Sequence, residues 1–309
     1  MKAEFISVQA TDLTSVNAAR TSMAKHKEVF DSSNEKGSDK NLLAFLAREF
    51  HFTPFTHPRE TFVLDSHYVR FSSMTETDMT GMVKEHNLGK VKMRHSIFGW
   101  ASMIEKGLLH GKASAEIASW LHTLYPHNAK ALGVPAGEVG YSVTHRPVTM
   151  EHDRRFIDVT LRITVPFFVI RQLDTHKVGF ARNEQSGRYI KFVVEFFKMQ
   201  WRKKPAESIK QGSGGKANLA QRVIACVAYG AVKAVSHAAY SVLLAAGLSK
   251  EQSRAVLPSA VYTQYYLTGS IAAFKRMYDL RIDPHAQQET GEIAVMIRDE
   301  IEKHTGFKL

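Results

Sequence analysis

One stretch of this chain joins an apolar run to a dense set of polar and cationic side chains. The apolar letters VPFFVI, residues 165–170, lead directly into RQLDTHKVGFARNEQSGRY, residues 171–189. A short apolar run of this kind is typical of a buried strand, and open sheets bind ligands at the ends of their strands. We therefore predict a sheet in which a buried strand, residues 157–171, leads into a polar binding segment.

The side chains of residues 171–189 are of the types that bind polyanions. Five of them are cationic or imidazole groups: Arg171, His176, Lys177, Arg182 and Arg188. Such groups hold phosphate oxygens through charge-assisted hydrogen bonds. Asn183, Gln185 and Ser186 add neutral groups that could orient a nucleotide. A solvated basic loop is the alternative interpretation of the same residues.

Composition narrows the class of partner. The 309 residues carry 41 Lys and Arg against 30 Asp and Glu, a formal net charge of +11. This excess favours anionic partners such as nucleotides, folates, flavin phosphates or nucleic acid. No apolar run approaches the roughly 20 residues that span a bilayer, and no signal-peptide pattern follows Met1. We therefore expect a cytoplasmic protein without a membrane segment.

The single cysteine excludes an intrachain disulfide and a cysteine-rich zinc site. Cys226 lies in RVIACVAYGAVKAV, an apolar helical pattern that predicts a small core residue rather than a nucleophile. The histidines show no convincing metal-ligand spacing; His145 and His152, for example, flank a predicted strand. We predict that the chain has no metal site.

Hydrophobic periodicity predicts both strands and helices in this chain. Strands are predicted at residues 4–8, 60–64 and 157–171, and helices at residues 12–24, 39–50 and 218–246. Gly247 follows the last of these helices, as is typical of a helix C-terminus. We interpret residues 1–309 as a single domain.

A long segment separates the second and third predicted strands. It spans about 90 residues, 66–155, too many for a connection without structure of its own. Two of its stretches, SIFGWASMIEKG and SAEIASWLHTLY, have the pattern of amphipathic helices, and residues 139–149 resemble a strand. We predict an inserted subdomain at about 66–155 that either caps the binding site or forms an oligomer contact.

The loop PAESIKQGSGGK, residues 205–216, contains glycines in a pattern that suggests a phosphate loop. However, QGSGG lacks the preceding strand and the terminal Lys-Ser/Thr pair of that motif. We interpret the segment as a linker or a substrate lid.

Six segments in order resemble the flavin-dependent thymidylate synthase family: HFTPFTH, FFVIRQ, NEQSGRY, the QGSGG loop, SRAVLP followed by YT, and LRIDPHAQ. They span most of residues 1–65 and 157–300, whereas the insert lies outside the resemblance. The resemblance implies the α+β fold of that family, with a mixed sheet and long helices, and a homotetramer whose active sites combine several subunits. It also implies dUMP as substrate, FAD as cofactor and methylenetetrahydrofolate as one-carbon donor.

The resemblance implies roles for particular residues. The implied catalytic residues are Arg281, Ser186 and Glu184, and the implied folate residue is Tyr189. The residues implied to bind dUMP are Gln172, Gln185, Ser186, Gly187, Arg188, Arg254 and Arg281. The residues implied to bind FAD are Thr53, His57, His176, Lys177, Asn183 and Glu184. An arginine beside the uracil ring suits the role assigned to Arg281, because it would stabilise negative charge that develops on the base.

The flavin motif departs from the family's pattern. The family carries arginine-histidine-arginine, seven residues and then serine, whereas here Thr175-His176-Lys177 is followed by eight residues before Ser186. We expect a bulge or a looped-out residue near Gly179 to accommodate the extra residue. We also expect Arg182 to supply the charge of the missing arginine.

Three further positions lack the polar side chains of the family's flavin site. Thr56 replaces a glutamate, and Ser270 and Ala272 replace an asparagine and an arginine. We therefore expect weakened FAD binding beside an intact nucleotide site.

Two products are compatible with such a site. Methylene transfer to C5 of the pyrimidine gives a methyl group if reduced flavin supplies hydride, and a hydroxymethyl group if water adds instead. We predict reductive methylation of dUMP to dTMP, with hydroxymethylation of dUMP or dCMP as the alternative. From a different class, the alternative is a noncatalytic nucleic-acid-binding protein, although only Phe180 and Tyr189 interleave aromatic rings with the basic residues.

Overall fold

A computed structural model of the chain describes residues 1–147, 153–205 and 212–309. The strands are β1 (Lys2–Ser7), β2 (Arg59–Asp65), β3 (Val83–Asn87), β4 (Lys90–Ser96), β5 (Val143–His145), β6 (Asp158–Pro166), β7 (Phe180–Glu184) and β8 (Tyr262–Ser270). The helices are α1 (Asp12–Thr21), α2 (Asp39–Arg48), α3 (Glu76–Met79), α4 (Ile97–Glu105), α5 (Gly111–Leu124), α6 (Pro126–Ala131), α7 (Phe167–Leu173), α8 (Leu219–Ala245), α9 (Lys250–Ser253), α10 (Ile271–Arg281) and α11 (Gln288–Thr305). The predicted α+β class is confirmed.

The first sheet has the strand order β1-β6-β8-β7. Alternate residues of β6, including Val159, Leu161 and Ile163, are fully buried in a core that α10 and α11 complete. All pairings in this sheet are antiparallel, so the expected mixed sheet is wrong. Strand direction was not predictable because the paired strands are far apart in sequence, and hydrophobic periodicity does not depend on direction.

The apolar run before the binding segment is part strand and part helix. β6 ends at Pro166, which is the N-cap of α7, and the next residues, FFVI, are helical. The strand predicted over residues 157–171 is therefore wrong in its last third. Short apolar runs fit a buried strand and a buried helix equally well, and the proline, which has no N–H group to donate, suits the change from one to the other.

The predicted insert supplies three of the four strands of the second sheet, whose strand order is β3-β4-β2-β5. Phe62, Met93 and Trp100 are fully buried where α4 and α5 cover one face of this sheet. Both predicted helices are confirmed by α4 and α5. β2 precedes residue 66, so this sheet begins earlier in the sequence than the predicted insert.

Parts of two predicted features lie outside the described residues. The strand predicted over residues 139–149 corresponds to β5, but residues 148 and 149 are outside the described ranges, as is His152. Residues 206–211 of the glycine-containing loop are also outside them.

Buried charges connect the two sheets. Asp158, at the start of β6, forms ion pairs with Arg94 and, at 3.6 Å, with Arg59. The Arg94 side chain is 1% exposed. Arg59 also donates to the backbone oxygen of Gly179 at 3.2 Å. The second sheet therefore contacts the loop that leads into β7.

Helix α8 confirms the helix predicted over residues 218–246, but much of it is exposed. Its apolar side chains Val223, Ile224, Val227, Val235 and Val242 are 54–69% exposed. Cys226 is exposed as well, so its predicted place in the core is wrong. Hydrophobic periodicity indicates that one side of a helix is apolar, but it does not indicate whether other parts of the same chain cover that side. Within the described ranges, α8 alone is long and apolar enough to cross a membrane by length and composition, which the sequence analysis did not expect.

Candidate functional site

The predicted binding residues begin on β7, an edge strand of the first sheet. Glu184 lies directly opposite Tyr265 in the β7–β8 pairing. The Thr263 hydroxyl donates a hydrogen bond of 2.9 Å to Glu184 Oε1. Burial raises the pKa of Glu184, and the Thr263 hydrogen bond opposes this rise. Glu184 therefore retains a proton to a higher pH than a solvated glutamate does.

A second carboxylate lies beside this strand pair. Asp174, directly after α7, accepts hydrogen bonds from the Tyr265 hydroxyl at 2.9 Å and from Arg182 at 2.6 Å. Burial, followed by the charges of Glu184 and Asp174, raises the pKa of Tyr265 far above its ordinary value. The Tyr265 hydroxyl therefore keeps its proton at ordinary pH and acts as a hydrogen-bond donor. Arg182, which was expected to supply charge to a flavin, forms an ion pair with Asp174 instead.

Ser186 is held where the chain turns at the end of β7. The Ser186 N–H donates to the backbone oxygen of Ser22 at 3.1 Å, and the Gln185 N–H donates to that of Gln264 at 2.8 Å. The Ser186 hydroxyl oxygen accepts the N–H of Arg188 at 3.3 Å. Backbone contacts thus fix the direction in which residues 185–188 leave the sheet.

Gly187 brings two distant segments together. A Cβ atom at Gly187 would lie 2.3 Å from the Phe192 ring and 2.9 Å from Arg254 Cδ, so a larger residue does not fit. Arg254 thereby lies against the turn that carries Arg188. Arg188 is exposed, and its guanidinium carbon lies 5.3 Å from the centre of the Tyr189 ring, which is 49% exposed. The Arg254 side chain therefore packs against the turn that carries the exposed side chains of Arg188 and Tyr189.

Arg281 organises a second group of predicted residues at the end of α10. Its Nε donates to His176 Nε2 at 2.8 Å, and its Nη2 donates to the Gln172 backbone oxygen at 2.7 Å and to the Thr175 hydroxyl at 2.6 Å. Arg281 and Gln172 also line a cavity of about 320 Å³, together with His285. This volume is in the range of small-ligand pockets.

The QGSGG loop borders the same cavity through Gly212 and Ser213. The N–H of Lys203 donates to the Gly215 oxygen at 2.8 Å, and the N–H of Gly214 donates to the Lys203 oxygen at 2.9 Å, so the base of the loop is a hairpin. Arg202 Nε donates to the Ser213 hydroxyl at 2.5 Å. This position suits the predicted lid.

His57 and Asn183, both predicted to bind flavin, form a hydrogen bond with each other. His57 Nε2 donates to Asn183 Oδ1 at 3.1 Å, and His57 Nδ1 accepts from the Thr268 hydroxyl at 2.8 Å. His57 is fully buried, and this burial lowers its pKa to about 3. Its imidazole is therefore neutral, and both ring nitrogens have partners within the chain.

The remaining predicted flavin residues lie closer to solvent. Thr53 and Lys177 are exposed, and His176 is partly exposed. Gly179 adopts a φ of 87°, which confirms the unusual backbone expected there. β7 pairs with β8 without a register shift, so the extra residue of the motif is not a bulge within the strand. Ser270 is occupied as the N-cap of α10, where its hydroxyl oxygen accepts the Ala273 N–H at 3.1 Å.

The predicted site residues thus form separate groups. One surrounds the end of β7, another surrounds Arg281, and His57 and Asn183 form a buried pair. In the described part of the chain, the hydrogen-bond partners of the Arg281 side chain are His176, Gln172 and Thr175, whereas Arg188 bonds to Ser186. Residues 1–147, 153–205 and 212–309 contain no cluster of three or more His, Cys, Asp or Glu side chains suited to a metal ion.

Sequence reasoning missed four residues that contact this site: Ser22, Asp174, Thr263 and Tyr265. Thr263 was within reach, because it belongs to the YT pair that follows SRAVLP. Asp174 lies inside the polar stretch of residues 171–189, but it is acidic, and that stretch was interpreted through its cationic groups. Ser22 and Tyr265 reach the site only through the register of the first sheet and the packing of α1, for which no sequence signal existed.

Comparison with known proteins gives consistent matches. A family model described as "Thymidylate synthase complementing protein" matches residues 115–305, starting inside the predicted insert. The flavin-dependent thymidylate synthase of Kosmotoga olearia is 33% identical over 137 residues, which cover 44% of this chain and 58% of that protein. The enzyme of the same name from Thermus thermophilus is 31% identical over 177 residues, covering 57% of this chain and 62% of that protein. The chain thus spans about three fifths of these relatives' length.

Solved structures also align with the chain. Two structures of a UMP/dUMP methylase PolB from Streptomyces cacaoi, bound with 5-Br dUMP and with 5-Br UMP, each cover 98% of this chain. The aligned regions are 90% and 88% of those chains, with 19% and 16% sequence identity and TM-scores of 0.42 and 0.46.

Proposed function

Because the chain belongs to the thymidylate synthase complementing protein family, we propose that it transfers a one-carbon unit from methylenetetrahydrofolate to C5 of a deoxyuridylate-type nucleotide. The family model covers more than half of the chain, residues 115–305, and the resemblance found from sequence motifs is thereby confirmed. The reaction that we propose is reductive methylation of dUMP to dTMP. Family membership favours this enzyme over a noncatalytic nucleic-acid-binding protein.

The proposal rests on one observation, the approach of Arg254 to the turn at Gly187. This contact places the Arg254 side chain against the turn that carries Ser186 and the exposed Arg188. Guanidinium groups bind phosphate through paired hydrogen bonds, and a serine hydroxyl adds a neutral donor. We assign the dUMP phosphate to these residues, together with the backbone N–H of Gly187 and the side-chain amide of Gln185.

The base of the nucleotide would face the second group. Arg281 and Gln172 line the cavity of about 320 Å³, where the guanidinium group would stabilise negative charge on the uracil ring during attack from C5. Burial raises the pKa of Glu184 above its ordinary value, and we assign this carboxyl group a part in proton exchange during the reaction. Tyr189 presents an exposed aromatic ring on which a pterin could stack.

The residues fit FAD in part. Thr53, Lys177 and His176 lie at or near the surface and could hold an anionic cofactor, whereas His57 and Asn183 bond to each other and could only form a wall of its site. Bound FAD, once reduced, would supply the hydride that turns the transferred carbon into a methyl group. The occupied His57–Asn183 pair is the specific observation that favours the second candidate, hydroxymethylation of dUMP or dCMP, which needs no hydride.

We propose that residues 1–309 form one thymidylate synthase-like domain with a subdomain inserted at about 66–155, and that the enzyme is a cytoplasmic homotetramer. One side of α8 packs on its own chain, where the Tyr240 hydroxyl accepts the Phe192 N–H at 3.1 Å, and Tyr240 is fully buried. The other side exposes the valine and isoleucine residues given above. Lys233 and His237 interrupt these residues, and such groups are costly inside a bilayer. We therefore assign this side of α8 to contacts between copies of the chain.

Mass spectrometry of the nucleotide product tests the reaction. The purified chain is incubated with dUMP and methylenetetrahydrofolate, with and without reduced FAD. We expect a methyl product that forms only with reduced FAD. A hydroxymethyl product under both conditions would support the second candidate and contradict the first. Absence of any modified nucleotide, also with dCMP, would contradict both.

A further inference from the structure

A large cavity lies between α8 and residues 196–202. Its volume of about 920 Å³ is in the range of pockets that hold drug-sized ligands. Arg222, Tyr229 and Lys233 line it from α8. They lie on the same side of the helix as the buried Tyr240, because the spacings from Arg222 are close to whole helical turns. The cavity is therefore on the inner side of α8, not on the exposed side assigned to contacts between copies of the chain.

The charge of the lining residues is one-sided, since no aspartate or glutamate is among the described residues that line the cavity. Its cationic side chains are those of Lys198, Arg202, Lys216, Arg222 and Lys233. Arg202 already has a partner, because its Nη2 donates to a carboxylate oxygen of Glu289 at 2.7 Å. The side chains of Lys198, Lys216 and Arg222 are exposed, and that of Lys233 is partly exposed. A ligand with several negative charges would complement this lining.

The cavity lies next to the smaller one that contains Arg281. Arg202 lines both the cavity of about 920 Å³ and the cavity of about 320 Å³. The QGSGG loop also borders both, through residues 212–213 at the smaller cavity and residues 214–215 at the larger one. A molecule that lies beside Arg281 at one end can therefore extend past Arg202 and reach the larger cavity.

Two aromatic rings form part of the wall. The rings of Trp201 and Tyr229 are inclined at 81°, with their centres 5.7 Å apart. The Tyr229 hydroxyl donates to the Phe197 backbone oxygen at 2.8 Å, which fixes the position of this ring. Trp201 is partly exposed, so its ring can pack against an aromatic group of a ligand. The cavity thus suits a ligand that combines an aromatic ring with a chain of anionic groups.

We propose that this cavity binds the polyglutamate tail of the folate donor. The aminobenzoyl ring of the donor packs against Trp201, and the tail carboxylates lie near Lys216, Arg222 and Lys233. The inference rests on the proposed function, because the donor must lie beside the nucleotide base, which we assign to the cavity of Arg281. From there the tail passes Arg202. Each glutamate of the tail adds one carboxylate, so affinity rises with tail length through several weak ion pairs.

The test compares the tetrahydrofolate monoglutamate with the tetraglutamate in calorimetric titrations of the full chain. We expect the tetraglutamate to bind about tenfold more tightly, because three more carboxylates each contribute about a factor of two, and we expect this advantage to shrink as salt is added. Arg222→Gln combined with Lys233→Gln should reduce the advantage to about twofold, while the Kd of the monoglutamate stays within about twofold. Lys36→Gln combined with Lys112→Gln, which removes the same charge from two exposed lysines outside the cavity, should preserve the tenfold advantage.

A second probe does not depend on the reaction. Tetra-γ-glutamate without a pterin should change the fluorescence of Trp201 at low ionic strength, and Trp201→Phe identifies that signal. An equal Kd for the two folates, or no binding of the peptide, would overturn the inference. Tighter binding of inorganic triphosphate than of the peptide would assign the cavity to a phosphate chain and overturn it as well. If the wild-type chain transfers no one-carbon unit, the proposed reaction fails, but the peptide titration still decides whether the cavity binds a chain of carboxylates.

Discussion

Arg281 Nε donates a hydrogen bond of 2.8 Å to His176 Nε2, joining the end of α10 to the loop between α7 and β7. The contact requires a neutral imidazole with its proton on Nδ1. Burial, followed by the charge of Arg281, lowers the pKa of His176, so the imidazole is held in the form that the contact needs. A residue assigned to flavin thereby orients a residue assigned to the nucleotide.

This contact should make stability depend on pH. The pKa of His176 is lowered below its ordinary value of 6.5, so the folded state favours the neutral ring. The stabilisation is complete above that value and is lost as the pH falls through the lowered pKa. We expect His176→Gln, which retains an acceptor but does not titrate, to weaken the fall in unfolding free energy between about pH 8 and pH 5. Urea unfolding at each pH measures this free energy. His285→Gln, at an exposed histidine, is the control, and equal effects of the two variants would refute the role of His176 in the pH dependence.

The phosphate assignment makes a second prediction. Arg188→Ala or Arg254→Ala should weaken dUMP binding by about 1.5–3 kcal/mol, the usual effect of a lost hydrogen bond to a charged group. Isothermal titration calorimetry measures the change. Arg155→Ala, which removes an equally exposed guanidinium group from the insert, should leave the affinity unaltered. Wild-type affinity in both site variants would rule out the clamp.

Sequence predicted best those parts of the site that are contiguous in the chain. NEQSGRY and LRIDPHAQ each contain their candidate residues in one run, so Arg188 and Arg281 were proposed from the sequence alone. Asp174 and Tyr265 were not, because they meet only through the register of two strands separated by some 80 residues. The pairing of His57 with Asn183 was missed for the same reason, and it changes what the flavin motif can do.

The errors in the fold have a similar origin. The hydrophobic pattern correctly identified the apolar residues of α7 and α8, but it did not identify which parts of the fold surround them. FFVI was assigned to a strand because a short apolar run carries no clear period, and Cys226 was assigned to a core because one apolar helix side resembles another. Both errors concern tertiary contacts, which hydrophobic periodicity does not encode.

Cys226 should be dispensable for the reaction. It is exposed on α8 and is not among the residues of either site group. Cys226→Ala should therefore retain kcat with dUMP within about twofold, whereas a nucleophile would lose all measurable turnover. If the variant folds normally, as circular dichroism can show, but has no activity, a covalent cysteine mechanism would replace the one proposed.

The connection between the two sheets should depend on Asp158. Asp158→Asn would leave the buried guanidinium group of Arg94 without its carboxylate. Breaking a buried ion pair from one side typically costs about 3–5 kcal/mol of unfolding free energy. Asp153→Asn, which removes an exposed carboxylate a few residues earlier, should cost well under half as much. Urea unfolding followed by tryptophan fluorescence compares them, and equal losses would show that the cluster does not hold the sheets together.

Affinity for FAD should be lower than in related enzymes that retain the complete flavin motif. Ser270 caps α10, Ala272 has no polar side chain, and Arg182 is paired with Asp174, so these positions contribute little to an anionic cofactor. The loss of two or three contacts, each worth about 1 kcal/mol, would weaken binding by roughly one to two powers of ten. Fluorescence titration with FAD, beside the Thermus thermophilus enzyme, measures the difference. Lys177→Ala should weaken binding further, because its exposed cation would face the diphosphate, whereas the equally exposed Lys112→Ala in the insert should not. Affinity equal to that of the relative, or no effect of Lys177→Ala, would show that FAD is held by other residues.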